Sequence, residues 1–163
     1  MAKSSIHAPP CRPATRNDAA ALAAIEAAAF DPARYDGLIT ARQFRHFADG
    51  ANAALIVVEH EGRPAGYALV LFRKGSSAGR FYSLAVDPRI QGAGLGSTLF
   101  SAAERAVLDH GATRMRLEIR EDNLTLKNRY ERMGYRLATR VPGYYPDGCA
   151  ALRLERTVAA PAG

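Results

Sequence analysis

The chain has 163 residues, 48% hydrophobic and 23% charged, proportions that fit one globular domain and exclude disordered, fibrous and membrane-spanning classes. Lysine and arginine outnumber aspartate and glutamate by 22 to 16, a net charge of +6, yet the arginines are spread along the chain. That spread suits a solvated basic surface or an anionic cofactor, and no direct nucleic-acid contact is expected. Residues 1–11 lack periodicity and read as a flexible leader, 12–158 as a single domain and 159–163 as a tail. Asp18 is placed to cap a helix over 19–29 whose stripe is Leu22, Ile25 and Ala29, and Phe30-Asp31-Pro32 ends it. A second helix is expected over 40–48, with Phe44 and Phe47 on one side. The period then changes, because 53–59 and 65–72 are apolar, β-branched or aromatic runs around the turn His60-Glu61-Gly62-Arg63, which predicts a hairpin. After a Gly/Ser loop over 75–79 comes a strand over 80–86, stopped by Asp87-Pro88.

From there a Gly-rich turn leads into a helix over about 94–110, with Leu95, Leu99, Ala103 and Val107 stacked and Gly111 at its end. A strand over 113–119 follows, then a helix capped near Asn123 and ended by Gly134, then two short strands, 135–139 and 149–157, separated by the loop 141–148. With an opening strand the order is β-α-α-β-β-β-α-β-α-β-β. A strand-helix-strand crossover pairs its strands in parallel whereas the hairpin is antiparallel, so the expected fold is α/β: a mixed sheet of about six or seven strands with helices on both faces.

The most informative stretch runs from Val86 through Asp87, Pro88, Arg89, Ile90, Gln91, Gly92, Ala93, Gly94 and Leu95 to Gly96. A strand ends there, three glycines alternate and a helix begins. Glycines permit positive φ and close approach of a ligand, and a helix start leaves N–H groups without internal partners, a geometry that holds phosphate. A dinucleotide or S-adenosylmethionine fold could use a similar turn, with Glu118 as its ribose-binding acid, although such a fold expects the turn after the first strand; a turn tightened only for packing is the third reading. Cys11 and Cys149 form no disulfide framework and have no neighbouring histidine, and no Gly-x-Ser-x-Gly elbow exists, so covalent catalysis finds no support. His7, His46, His60 and His110 lack metal-ligand spacing, and no metal is expected. The first ten residues have no apolar signal core, so a soluble, unexported, cytoplasmic protein without membrane partners is expected.

Gln91-x-x-Gly94-x-Gly96, set between a strand and a helix, resembles the signature of the GNAT acetyltransferase superfamily. Leu117-Glu118-Ile119-Arg120 followed by Asn123, and Tyr130-x-x-x-Gly134-Tyr135, resemble segments of the bacterial ribosomal-protein alanine N-acetyltransferases, the RimI type. The resemblance covers about 80–154. It implies a GNAT acyl-CoA N-acyltransferase fold and acetyl-CoA as cosubstrate. The pyrophosphate would lie on the amides of Gln91, Gly92, Ala93, Gly94, Leu95 and Gly96, continuing to Ser97, and the pantetheine along Leu84, Ala85 and Val86 with Asn123 beside it. By the same resemblance Tyr130 is the acid for the departing thiolate and Glu118 the base, directly or through a water; a strand amide near Val86 would donate to the oxyanion. The spacing alone also allows Tyr130 to be core, on a stripe with Leu126 and Met133, and Glu118 to be an ion-pair partner between Arg116 and Arg120. Departures from the family pattern stand at Leu126 and Arg129.

Tyr144 and Tyr145, in a Pro/Gly loop, resemble the tyrosine pair that lines the acceptor groove of N-terminal acetyltransferases, or they serve packing; Phe30 and Tyr35 would form the opposite wall. The reading is transfer of an acetyl group to a primary amine by direct attack in a ternary complex, preferably to a peptide or protein N-terminal α-amine. Its rivals are a small-amine acetyltransferase, acting on an aminoglycoside, polyamine or amino acid, and a CoA-binding module without turnover. The oligomeric state stays open, a homodimer included.

Overall fold

The computed structural model describes residues 11–158 except 36, 51 and 91. Gln91, leader residues 1–10 and tail residues 159–163 lie outside the described residues. Cys11, read as leader, opens strand β1 (Cys11–Pro13), which pairs antiparallel with β2 (Ala53–His60) at Cys11↔Val58. Asp18 does not cap α1 (Ala19–Ala29) with its side chain. It already has helical angles, φ −79° and ψ −16°, and its carboxylate instead accepts the Thr15 N–H at 2.7 Å and pairs with Arg12 at 2.8 Å. The turn has begun one step earlier, through a single 3-10 turn (Arg16–Asp18). Helix α2 (Ala41–Asp49) has a reciprocal cap, in which Thr40 Oγ1 accepts the Gln43 N–H at 3.2 Å and Gln43 Oε1 accepts the Thr40 N–H at 2.9 Å.

The hairpin from β2 to β3 (Arg63–Phe72) turns on Glu61 and Gly62, both with positive φ, 53° and 76°, the handedness that matches strand twist. Then follow β4 (Ala78–Val86), α3 (Leu95–Asp109), β5 (Arg114–Arg120), α4 (Leu124–Arg132), β6 (Arg136–Val141) and β7 (Ala151–Thr157). The strands form one mixed seven-stranded sheet in the order β1-β2-β3-β4-β5-β7-β6, with β4 and β5 the parallel pair. Strand β3 is buried on both faces. Tyr67 and Leu69 meet Leu22, Ile25 and Phe44 of α1 and α2, while Ala68 and Val70 meet Leu99, Ala103 and Val107 of α3. The expected α/β architecture with helices on both faces is therefore the observed one.

What positions the site is the seam between β4 and β5. Their pairing runs from Ala78↔Arg114 to Phe81↔Leu117 and stops. Beyond it β4 stays with β3, from Ser83↔Leu69 to Val86↔Gly66, and β5 stays with β7, from Glu118↔Arg153 to Arg120↔Ala151. The register of β4 shifts where Phe81 pairs with Val70 and Ser83 with Leu69, so Tyr82 is an extra residue, a bulge that bends β4 away from its parallel neighbour.

Candidate active site

The parted strands enclose a groove of about 550 Å³. Ser83 and Leu84 of β4, Glu118 of β5 and Tyr130 of α4 all line it. Ala85 instead packs into the core under α1 and α2, and Val86 lies against the α3 core just before the glycine turn. Along 83–86 the edge of β4 away from β3 has no strand partner among the described residues, so its N–H and C=O groups are free to bond an extended amide chain.

At the end of β4 the chain is fixed before it reaches the glycines. The Asp87 carboxylate accepts the Arg89 N–H at 3.0 Å and pairs with the Arg89 guanidinium at 2.7 Å, which holds its carboxyl at about 2, and the Asp87 carbonyl accepts the Ile90 N–H at 2.9 Å. Gly92 and Gly94 then take φ of 74° and 69°, with Gly94 the N-cap of α3. Gly96 is different: it lies inside the helix, and among the described residues nothing beyond its own helical turn stands within 4 Å of where a Cβ would be. Glycine there costs helix stability without relieving any contact within the protein, so the space it leaves suits a ligand. Arg129 of α4 donates to Ser97 Oγ at 3.2 Å, bringing a guanidinium onto the first turn of α3. A 15-residue helix start, two left-handed glycines and an adjacent arginine fit a phosphorylated group.

Tyr130 packs in the core, as its spacing allows, and also borders the groove. Its ring packs on Phe100 at 5.4 Å and Tyr135 at 5.6 Å, and it lines the groove. Burial pushes its phenol above the ordinary value, only partly opposed by Arg129, so the hydroxyl stays protonated at neutral pH. Asn123 faces the same groove; its side-chain carbonyl accepts the Leu126 N–H at 3.1 Å as the α4 N-cap, leaving its NH₂ to donate. The Glu118 side chain is 11% exposed and pairs with Arg80 at 3.3 Å and Arg153 at 3.1 Å, cations of the neighbouring strands rather than Arg116 and Arg120 of its own strand face, and the carboxylate still faces the groove. Phe30 and Tyr35 stack edge-on at 5.1 Å, Tyr35 meets Tyr145 at 5.8 Å, and Tyr145 meets Tyr144 at 5.0 Å, so the two expected walls form one continuous aromatic rim.

The family model described as acetyltransferase (GNAT) family matches residues 19–135. The chain belongs to the GNAT acetyltransferase family. Members of this family use acetyl-CoA, and the helix start and open strand edge fit it. A Methanocaldococcus jannaschii protein, named only as an uncharacterised N-acetyltransferase, is 36% identical over 93 residues, spanning 56% of this chain and 58% of that protein. The crystal structure of the Escherichia coli ribosomal-protein-S18-alanine N-acetyltransferase superposes with a TM-score of 0.77 at 23% identity, covering 94% of this chain and 96% of that one. A Salmonella typhimurium structure solved with its cofactor acetyl-CoA gives 0.74 at 20% identity, covering 96% and 98%. At such identities these structures establish the GNAT fold. Among the described residues no cluster of three or more His, Cys, Asp or Glu is arranged to hold a metal, and no helix is long and apolar enough to cross a membrane.

Sequence reasoning missed several residues that line this groove. Glu26 of α1 is buried, lines the groove, and accepts the Ile39 N–H at 3.2 Å and the Tyr67 hydroxyl. Tyr67 in turn lies 2.8 Å from Ser83 Oγ, so a chain of polar groups runs from the core to the groove. Arg120, 3% exposed, pairs with Asp122 and Asp147, donates to the Arg34 carbonyl at 2.8 Å, and sits 4.9 Å from the Tyr145 ring centroid and 5.8 Å from that of Tyr35. The signal for Glu26 was a single charge on an alanine-rich apolar helix; for Arg120 it was alternation with Glu118 along one strand face.

Proposed function

We propose that this protein is an acetyl-CoA-dependent N-acetyltransferase acting on a primary amine, preferably the α-amine of a peptide or protein N-terminus, by direct attack in a ternary complex in the cytoplasm. The observation that carries the reading is the groove between β4 and β5, which brings Tyr130, Glu118 and the aromatic rim together, with α4 tied to the first turn of α3 through the Arg129–Ser97 hydrogen bond. Acetyl-CoA supplies the activated acetyl group when bound. The turn from Gly92 to Ser97 holds its phosphates, with Gln91 at the start of that motif, and Leu84 to Val86 with Asn123 orient its amide chain.

Tyr130 holds a proton at its hydroxyl for the leaving sulfur, and burial keeps that proton in place at neutral pH. Glu118 receives the amine proton, directly or through a water. A strand amide at about Val86 donates to the developing oxyanion, an interaction of roughly 2.7–4 kcal/mol where it has been measured. An α-amine, with reference pKa of about 7.7–8.0, is partly neutral at neutral pH, whereas a lysine near 10.4 is not, and this supports the N-terminal acceptor. The aromatic rim, open along the sheet, also suits a chain better than a compact amine.

The test is thiol release from acetyl-CoA with a library of N-terminal peptides beside polyamines, aminoglycosides and amino acids. Turnover with peptides is expected; turnover confined to small amines would remove the acceptor class, and none with any amine would leave only a CoA-binding module. Tyr130→Phe should lower the rate by roughly 10²–10⁴ with CoA affinity retained.

A further inference from the structure

On the same face of the sheet a second depression, of about 630 Å³, adjoins the groove. Helices α1 and α2 pack on β2, β3 and β4 and leave this face of β5 and β7 uncovered. Along β5, Met115, Leu117 and Ile119 turn into the core beneath α3, so the alternate residues Arg116 and Glu118 stand on the uncovered face. Register sets Arg80 of β4 beside Arg116, and Arg153 of β7 beside Glu118. With Arg73 and Lys74 from the loop after β3, five cationic side chains and one carboxylate line the cleft.

The carboxylates do not neutralise it. Arg80 and Arg153 share Glu118, and Arg116 shares Glu155 with Arg114, while Arg73 and Lys74 pair with no carboxylate among the described residues. The shared anion is buried, with an 11% exposed side chain, whereas those of Arg80, Arg116 and Arg153 remain 45%, 43% and 39% exposed. The cleft therefore presents guanidinium N–H groups to whatever enters, the fork geometry that takes carboxylates. It is continuous with the acceptor groove, since Arg80 and Glu118 line both, and Arg80 also reaches the Tyr144 hydroxyl at 3.4 Å.

We propose that this cleft is the downstream half of the acceptor site and selects peptides with aspartate or glutamate in the residues following the reacting α-amine. The inference rests on the acceptor reading above and adds the substrate's charge. A segment, rather than a compact amino acid, is required because the cleft begins beyond Glu118, so its anion is displaced from the amine by a length of chain. A nucleic acid is disfavoured because Glu118 and Glu155 interleave the arginines and the aromatic ring lining the cleft, Phe72, is buried and already stacked on His110.

The test measures binding and turnover separately on the full chain with CoA or acetyl-CoA. Fluorescently labelled peptides sharing their first residue but carrying acidic, neutral or basic residues after it are titrated by anisotropy, and thiol release is followed with the same set unlabelled. The acidic peptide is expected to bind at least tenfold tighter than the basic one. That preference should shrink as salt is raised and be abolished or reversed in Arg73→Glu/Lys74→Glu. Equal affinity for all three peptides would overturn the proposal, and thiol release with the neutral peptide would show the activity intact in that case. Charge-selective binding without thiol release would sink the activity and leave the cleft standing. Free glutamate binding as tightly as the acidic peptide, or an RNA oligonucleotide displacing it at equal charge, would also overturn the proposal.

Discussion

Glu26 shows what a single buried carboxylate does to this protein. Its pKa is raised, chiefly by burial, with the bonds from Tyr67 and Ile39 opposing. A raised folded-state value means the native protein holds the proton more tightly than the unfolded chain. The associated stability is thus present below the ordinary carboxylate range and is lost as pH rises through the raised value. Glu26→Gln keeps an acceptor for Ile39 and removes the titration. Urea unfolding between pH 4 and 8 should find it within about 1 kcal/mol of the parent at the acid end and gaining on it as pH rises. A constant difference across that range would show that Glu26 titrates alike in the folded and unfolded states, with no rise on burial. Glu26→Ala, which leaves the Ile39 N–H and the Tyr67 hydroxyl short of a partner, should cost about 1–3 kcal/mol. The residues that sequence singled out and that line the groove, Tyr130, Glu118, Tyr144 and Tyr145, lie in local patterns that carry their own context. Arg120 was hidden because its partners Arg34 and Asp147 are 86 and 27 residues away in the chain, and no local pattern encodes a contact of that span.

Among the elements, α3 has a first turn whose fold and proposed function pull in opposite directions. Gly96 has helical angles and open space around its missing Cβ, so Gly96→Ala should raise thermal stability, by about 0.5–1 kcal/mol from reduced backbone freedom. The same methyl would occupy the space left at the helix start, and calorimetry should find CoA affinity lowered at least tenfold. A stabilised variant with parental affinity would remove Gly96 from the phosphate site. Gly94→Val is expected to lose both, because a β-branched side chain at φ 69° is strained whatever surrounds it. The order of elements was readable because several are bounded by an unambiguous signal: Glu61-Gly62 for the hairpin, Asp87-Pro88 for the end of β4, Gly111 for the end of α3. Asp18 misled because the same residue type serves as a cap or as an ion-pair partner, and Arg12, on a strand too short to show a period, decided the matter.

At the scale of the molecule, the groove exists because the sheet is held together on either side of a seam that is paired for only part of its length. Helix α3 spans the seam from beneath, packing Leu99 and Val107 in one core with Val70 of β3 and Leu117 of β5. Above it, the loops before α2 and β7 are joined by Arg120, whose side chain is 2% exposed while Asp122 and Asp147 are 49% and 40% exposed. Both carboxyls are held below the ordinary range by its guanidinium, so this contribution is present at neutral pH and is lost as pH falls through their lowered values. Arg120→Ala deletes the shared donor and the plane on which Tyr35 and Tyr145 rest, and should destabilise the fold by about 2–4 kcal/mol. Arg120→Lys keeps the charge but lacks the fork and the flat face, so it should recover little of that. The discriminating measurement is kinetic, because Arg120 touches the aromatic rim proposed to take the acceptor and not the glycine turn. In both variants KM for the peptide should rise at least fivefold while the affinity for CoA stays at the parental value. Equal losses in both would mean that Arg120 supports the sheet as a whole, and that the aromatic rim and the glycine turn are not independently held.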